Sequence, residues 1–360
     1  ANPKTYGFSK VLVWGPKKTL DKIDEQIWLE KNHEPILDRA LPYRIYWQRF
    51  LLKKNAKSKR CDLLFVPGGS DQSGFQPMAT MSRNLLPFEK RERKRFGPSL
   101  MLLKLILLKN SQTRTFRKAN GLIFLTQYAR RVVESELKHL RIKTAIIPHG
   151  IHHRFFRKPK VQAPISYYSK TRPLQILYVS AISSYKHQWH VVEAVGQLVK
   201  QGNPVRLDLV GPAYGPSLKR LKKAANIIDP DKKFITYHGS VDFEKLTDFY
   251  EKANLNVFAS SCENMPNILL EGMAAGLPIA CSNLGPMPEI LSDAGVYFNP
   301  ESPNSIYNAI LRLIESPDLR RNKAVAAHLK AKDYSWERCA HETFDFLAQV
   351  AINPLMAAYQ

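Results

Sequence analysis

Short runs of β-branched and aromatic residues recur along the chain between longer amphipathic stretches, the pattern of parallel strands joined by crossover helices. In the first half these runs predict strands at 11–14, 63–66, 122–125 and 145–147. In the second half they predict strands at 176–179, 207–210, 235–238, 256–258, 279–281 and 296–298. Residues 150–173 carry three prolines, many polar or basic residues and little helical periodicity, so they read as a connection between two α/β sheets. The expected organisation is a first domain at 1–155, a linker at 156–172, a second domain at 173–336, and a helix at 337–360 packing back toward the first domain. The cleft between two such domains is the default ligand site. A strand is reached by Val11 with no glycine-rich turn before it, so a removed segment or an abbreviated first sheet is expected.

Composition supports two packed cores. With 44% apolar residues the chain is not disordered, and 360 residues exceed what one core usually supports. The longest hydrophobic stretch, residues 100–108, is interrupted by Lys104 and falls short of the roughly 20 apolar residues of a spanning helix. Four scattered cysteines without a CxxC pair predict neither a disulfide framework nor a zinc site, and so a reducing, intracellular setting.

Charge adds a partner. Lys plus Arg number 54 against 31 Asp plus Glu, a net +23. Counted from the sequence, residues 1–150 hold 30 cations and 12 acids, net +18, and the remainder 24 and 19, net +5. Residues 93–133 contain ten cations and no acid, so something anionic is expected at the first half's surface. A helix over 98–118 would have Leu102, Leu103, Leu105, Ile106 and Leu108 on a broad apolar side, with Lys104, Lys109, Arg114 and Arg117 as cations. Beside Lys94 and Arg95, such a helix suits an anionic bilayer interface. The plainer reading is a core helix with basic flanks. Nothing resembles a recognition helix or an aromatic stacking platform, so nucleic acid is not the expected partner. A polyanion or nucleic-acid binder remains the non-enzymatic alternative.

The most specific stretch is 259–282. A strand enters a polar turn, Pro266 suits the first residue of a helix, and Gly276-Leu-Pro278 stops that helix before the next strand. Free backbone N–H groups near Met265 to Ile268, reinforced by the helix dipole, favour a phosphate or a sugar oxygen. Glu263 in the turn and Glu271 eight positions on can reach one ligand from different sides, and a carboxylate accepting two hydroxyl hydrogen bonds suits a vicinal diol.

Glu263 and Glu271, followed by Gly-Met-Ala-Ala-Gly-Leu-Pro, resemble the E-x7-E signature of glycosyltransferase family 4, and the runs Glu263-Asn-Met-Pro-Asn267 and Met81-Ser-Arg-Asn-Leu-Leu-Pro-Phe88 look most like bacterial envelope or O-antigen transferases using mannose or rhamnose donors. Six further pieces stand in the family's order: Ile147-Pro-His-Gly150, Tyr178-Val-Ser-Ala-Ile-Ser-Ser-Tyr-Lys186, Leu209-Val-Gly211, His238-Gly-Ser240, Pro288-Glu-Ile290 and Tyr334-Ser-Trp336. The resemblance covers roughly residues 60–345. It implies an α/β chain of GT-B architecture, two facing Rossmann-like domains with parallel sheets. The first domain would bind a glycan or lipid-linked acceptor and the second a nucleotide diphosphate sugar.

Carried over by residue, the resemblance gives Glu263 a place beside the transferred sugar and Glu271 the nucleotide ribose. Asn264, Met265, Pro266, Asn267 and Ile268 would cradle sugar and diphosphate, with Ser180, Ala181, Gly211, His238 and Gly239 completing the donor site. Lys186 matches the lysine that neutralises the leaving diphosphate. Ala181 stands where the family usually has an arginine, and Arg83, in Thr80-Met-Ser-Arg-Asn-Leu-Leu-Pro-Phe88, is the candidate substitute. Gly68, Gly69, Asn84 and His149 are expected on the acceptor side. A retaining, front-face reaction without a protein nucleophile is implied. No cofactor is expected, and with no Asp-x-Asp pair metal independence is expected too. The family also implies a cytoplasmic protein peripheral on the inner face of the membrane. A sugar-nucleotide epimerase or glucan synthase fits the Glu263 to Glu271 spacing less well, and a catalytically weakened homologue is the remaining alternative.

Taken singly, several of these residues have duller explanations. A glutamate on a helix or a lone lysine is usually solvated, Arg83 could form a structural ion pair, and His149 and His238 could be satisfied turn histidines. Cys262 and Cys281 read as small buried fillers.

Overall fold

Residues 1–138 and 142–352 are described by the structure, a computed structural model, and the chain divides into two compact units. One comprises Ala1–Phe88, Leu103–Pro148 and Glu337–Gln360, and the other Glu89–Leu102 and His149–Trp336. The first half of the chain runs β1 (Val11–Gly15), α1 (Lys17–Leu20), β2 (Leu29–His33), α2 (Leu41–Phe50), α3 (Leu52–Ser58), β3 (Leu64–Val66), β4 (Met78–Met81), α4 (Lys90–Lys94), α5 (Leu100–Lys118), β5 (Gly121–Phe124), α6 (Gln127–Leu137) and β6 (Lys143–Ile146).

In the first unit β1 and β2 pair in parallel as a separate two-stranded sheet, Val11 opposite Leu29. Strands β3, β4, β5 and β6 form a four-stranded parallel sheet in chain order. Two strands thus fall where the pattern predicted none. β2 reads Leu-Glu-Lys-Asn-His and owes its place to pairing rather than to apolar alternation, with Glu30 bridging Lys10 at 2.6 Å and Lys59 at 2.9 Å. β4, Met-Ala-Thr-Met, is buried throughout and has a single β-branched residue, so it lacks the usual strand signature. Phe88 stacks on Phe116 at 5.9 Å within a core that includes Leu122, Phe124 and Val133. A Cβ on Gly121 would stand 2.6 Å from Val350 and 2.9 Å from Phe346, so a glycine there lets the C-terminal helix lie against β5.

The second half runs β7 (Leu174–Val179), α7 (Gln188–Lys200), β8 (Val205–Val210), α8 (Gly215–Ile228), β9 (Ile235–Tyr237), α9 (Leu246–Lys252), β10 (Leu255–Phe258), α10 (Asn267–Ala274), β11 (Ile279–Ser282), α11 (Met287–Leu291), β12 (Val296–Phe298), α12 (Pro303–Glu315), α13 (Pro317–Ala331) and α14 (Trp336–Ile352). Of the helix expected at 337–360, residues 353–360 lie outside the described residues. All six strands of the second unit are parallel, in the order β12-β11-β10-β7-β8-β9. Both faces of such a sheet must be covered, and its strands are near-continuous apolar runs: Leu174, Ile176, Leu177, Leu207, Leu255, Val257, Ile279 and Ala280 are all buried. Each large aliphatic side chain among them contributes on the order of 1.5–3 kcal/mol when fully buried. Helix α7 packs beside α8 and α12, and α10 packs against α13.

Candidate functional site

Strand β7 lies between β10 and β8, and the chain leaves β7 toward β8 but leaves β10 toward β11. The order therefore reverses between β7 and β10, and in an open parallel sheet the carboxyl ends at such a reversal are where ligands bind. Ser180 follows β7, Gly211 follows β8, Gly239 follows β9, and the 259–266 loop follows β10. The geometry there is tight. The Gly211 N–H donates to the Gly239 carbonyl at 2.8 Å, and with φ at +143° a Cβ on Gly211 would lie 2.2 Å from the Ser180 carbonyl oxygen. Ser180 is buried and accepts from Gln188 Nε2 at 2.7 Å, whereas Ala181 is exposed.

Lys186 and Glu263 meet here as an ion pair, Nζ to Oε1, with side chains only 7% and 15% exposed. The Lys186 backbone is fixed by the Tyr178 hydroxyl, which donates to its carbonyl at 2.7 Å. Its ammonium lies 5.3 Å from the ring centroids of Tyr185 and of Phe258, favourable contacts for a cation. Burying two charges is costly unless they meet, so the pair is a stored charge that a ligand can engage.

Helix α10 begins at Asn267 with Pro266 as its N-cap, one residue later than the sequence predicts. The Asn267 amide is already committed to the Met265 carbonyl at 2.9 Å, so it is not one of the expected free donors. Asn264, Met265 and Pro266 are buried, Asn267 is exposed, and Ile268 is intermediate. Glu271 accepts from the Tyr250 hydroxyl at 3.0 Å, and burial pushes its carboxyl up to about 7. Asn267 Nδ2 donates to Nδ1 of His149 at 3.5 Å, and the His149 ring packs on Trp336 at 5.3 Å. Two of the motifs meet at that point. A Cβ on Gly150 would lie 2.0 Å from the Trp336 nitrogen, and the Ile151 N–H donates to the Tyr334 carbonyl at 3.1 Å.

Glu263, Lys186, Glu271, residues 264–268, Ser180, Ala181, Gly211 and Gly239 thus gather at the strand ends of one sheet. His238 does not present a free ring there: Asp208 Oδ1 holds its Nε2 at 2.7 Å and Phe249 packs against it at 4.8 Å. Its ring borders a separate cavity of about 970 Å³ lined by Tyr168, Arg172, Arg206 and Phe249 among others. In the first unit, Gly68 and Gly69 follow β3, while Arg83 and Asn84 follow β4, so all four lie at neighbouring strand ends. Gly69 has φ +73°, and a Cβ there would lie 3.0 Å from the Met81 carbonyl. Arg83 is exposed, and Asn84 Oδ1 accepts from the Leu86 N–H at 3.2 Å.

The expected cationic face needs correction. Arg95 is half-buried between Glu92 and Glu301, and Lys109 pairs with Glu136, so neither is a free surface charge. Lys94, Lys104, Arg114 and Arg117 are exposed. Sequence reasoning missed Tyr250, Tyr185, His187 and Ser261, which hold the site residues. No local periodicity marks them: Tyr185 and His187 adjoin Lys186 and Ser261 lies two positions from Glu263, but the Ser261–His187 and Tyr250–Glu271 contacts form only across the fold.

The two Rossmann-like units with parallel sheets are the GT-B fold. The chain superimposes over 96% of its length on sucrose-phosphate synthase from Thermosynechococcus elongatus, covering 92% of that chain, with a TM-score of 0.73 and 18% identity. It also superimposes over 90% of its length on Anabaena Alr3699/HepE in complex with UDP and glucose, covering 86% of that chain, with a TM-score of 0.64 and 16% identity. Residues 164–328 match the glycosyl transferases group 1 family, which establishes the likeness to glycosyltransferase family 4 carried by the motifs. The O-antigen chain mannosyltransferase B of Escherichia coli is 32% identical over 112 residues, 31% of this chain and 29% of that protein, so the chain spans under a third of that relative.

Proposed function

We propose that this chain is a retaining glycosyltransferase that moves a hexose or deoxyhexose from a nucleoside diphosphate sugar to a glycan or lipid-linked acceptor. The observation that carries the reading is the buried Lys186–Glu263 pair at the strand-order reversal, with Glu271 on the helix that follows. In the reaction, the Lys186 ammonium exchanges Glu263 for the leaving diphosphate and stabilises the charge developing on it. Glu263 is then released toward the hydroxyls of the transferred sugar, and Glu271 accepts the ribose diol. The leaving phosphate oxygen takes the acceptor proton, so no protein nucleophile is needed. Arg83 is the proposed second cation in place of the arginine that Ala181 replaces. The Escherichia coli relative, an O-antigen chain mannosyltransferase, supports an envelope glycan product, and the UDP and glucose held by the Anabaena protein support a nucleotide sugar donor.

Calorimetric titration of GDP, UDP, dTDP and ADP sugars into wild type and Glu271→Ala tests the donor site. Selective binding lost in the variant is expected, and binding of none of them overturns the reading. The reaction is proposed to be metal-independent: full rate after exhaustive chelation is expected, and a collapse restored by magnesium or manganese refutes this.

The acceptor is proposed to lie at an anionic membrane surface, with the protein peripheral on the cytoplasmic face. Among the described residues no helix is long and apolar enough to cross a membrane. Two helices nevertheless expose large apolar side chains beside cations. On α5 these are Leu100, Leu103, Ile106 and Leu107 with Lys104, Arg114 and Arg117. On α2, which the sequence did not single out, they are Leu41, Tyr43, Ile45, Tyr46 and Phe50 with Arg44 and Arg49. Aromatic and aliphatic side chains beside arginines suit the headgroup boundary of a bilayer.

A further inference from the structure

We propose that Glu92 is a positioning residue for the Lys186–Glu263 pair, acting through Ser261 and His187; the proposal rests on the functional reading above. Residues 89–102 belong to the second unit although they precede it in sequence. Glu92, on α4, is 4% exposed and lies against the loop that carries Glu263. Its Oε2 accepts from Ser261 Oγ at 2.5 Å and from Arg95 Nε at 2.7 Å, and its Oε1 accepts from Arg95 Nη2 at 3.1 Å. Arg95 is shared with Glu301, which Arg91 also engages.

Proton accounting orders this chain. Ser261 has one hydroxyl proton, and both the Glu92 carboxylate at 2.5 Å and the Tyr185 carbonyl at 3.2 Å can only accept it. The 2.9 Å contact between Ser261 Oγ and His187 Nε2 then requires the imidazole to donate through Nε2–H. Such a ring is neutral with a bare Nδ1, and among the described residues Nδ1 has no hydrogen-bond partner. Burial, with Arg95 close by, pushes the His187 imidazole down to about 3, which keeps it neutral.

The consequence lies in where these residues stand. Ser261 is two positions from Glu263, and His187 adjoins Lys186 with its backbone in the left-handed region at φ +51°. The Ser261 N–H also donates to the Tyr185 carbonyl at 2.8 Å. Each partner of the Lys186–Glu263 pair is thus held by a neighbour, and both neighbours meet at one hydroxyl anchored by Glu92. A displacement of about an ångström at a reacting centre is enough to lower a rate severely, so the chain's work is to fix the position of the pair.

Hydrogen exchange and kinetics on the full chain test this, with Ser261→Ala and Glu92→Gln as mild variants and Lys233→Ala, in an exposed ion pair, as control. Both variants are expected to raise amide exchange in 181–187 and 259–268 by about tenfold, the scale of a hydrogen bond to a charged group, with the rest of the second unit unchanged. Transfer kcat is expected to fall by about tenfold or more while KM for the donor stays within about twofold. Wild-type exchange in both loops, a rise spread evenly through the unit, or loosened loops with wild-type kcat each overturns the proposal. If wild type transfers no sugar while the loop-specific exchange is seen, the functional reading falls and the tether stands. Transfer by wild type with unchanged exchange in the variants has the opposite meaning.

Discussion

The hydroxyl of Tyr250, on α9, donates to Oε2 of Glu271, on α10, at 3.0 Å, joining two helices that flank strand β10 in sequence. Burial raises the Glu271 carboxyl to about 7, and the Tyr250 bond pulls the other way by favouring the charged form. Glu271 is therefore divided between acid and carboxylate near neutral pH.

Donor binding should track that division. A ribose diol needs an acceptor for both hydroxyls, so donor affinity is expected to rise as pH climbs through about 7 and Glu271 ionises. Calorimetry at several pH values checks this, with the slope lost in Glu271→Gln. In Tyr250→Phe, which removes the bond favouring the carboxylate, the curve should move to higher pH.

Stability runs in the opposite direction. The folded carboxyl lies near 7 against 4.5 in its ordinary state, so the folded chain binds more protons between those values. The contribution is complete below about 4.5 and is lost as pH climbs through about 7. Glu271→Gln should therefore gain melting temperature over wild type at about pH 8 and gain less at about pH 5, as thermal denaturation would read.

Removing one partner of the buried ion pair separates stability from chemistry. Lys186→Met leaves the Glu263 charge unpaired and should cost about 3–5 kcal/mol in urea unfolding. Adding Glu263→Gln should return most of that stability. Transfer should remain about 10²–10³-fold below wild type in the double variant, because the cation proposed to face the leaving group is still missing.

The membrane reading predicts charge-dependent sedimentation. Arg114→Glu and Arg117→Glu should each lower binding to anionic vesicles severalfold, each surface cation being worth about 1 kcal/mol, with no change on neutral vesicles. Tyr46→Ser and Phe50→Ser on α2 should weaken it independently of α5. Equal sedimentation with anionic and neutral vesicles would end the reading.

Much of the second unit was legible because its signals are local. Strand β8 follows from aliphatic residues that alternate with Arg206 and Asp208 and then end in Leu209-Val210. The end of α10 follows from Gly276, whose φ of +66° and close approach to the Arg157 carbonyl, 2.8 Å from a would-be Cβ, exclude other residues. Strands β2 and β4 were not legible. The first is a polar segment held by neighbours' charges, and the second is a short buried run with few strand-forming residues.

By itself the sequence determined the parallel α/β character, the turn carrying Glu263, the helix carrying Glu271 and the lysine at 186, because periodicity, prolines and glycines act over a few residues. Only the tertiary structure decided which charges are free. Arg95 sits in a basic run yet is locked to Glu92 and Glu301, and Glu271 titrates near neutrality because the fold buries its carboxyl beside Tyr250 of α9. Apart from the Glu92–Arg95 contact, which spans three positions, these pairings and this burial depend on residues tens to hundreds of positions away. Crossover connections bring those residues together, so no local pattern could have shown them.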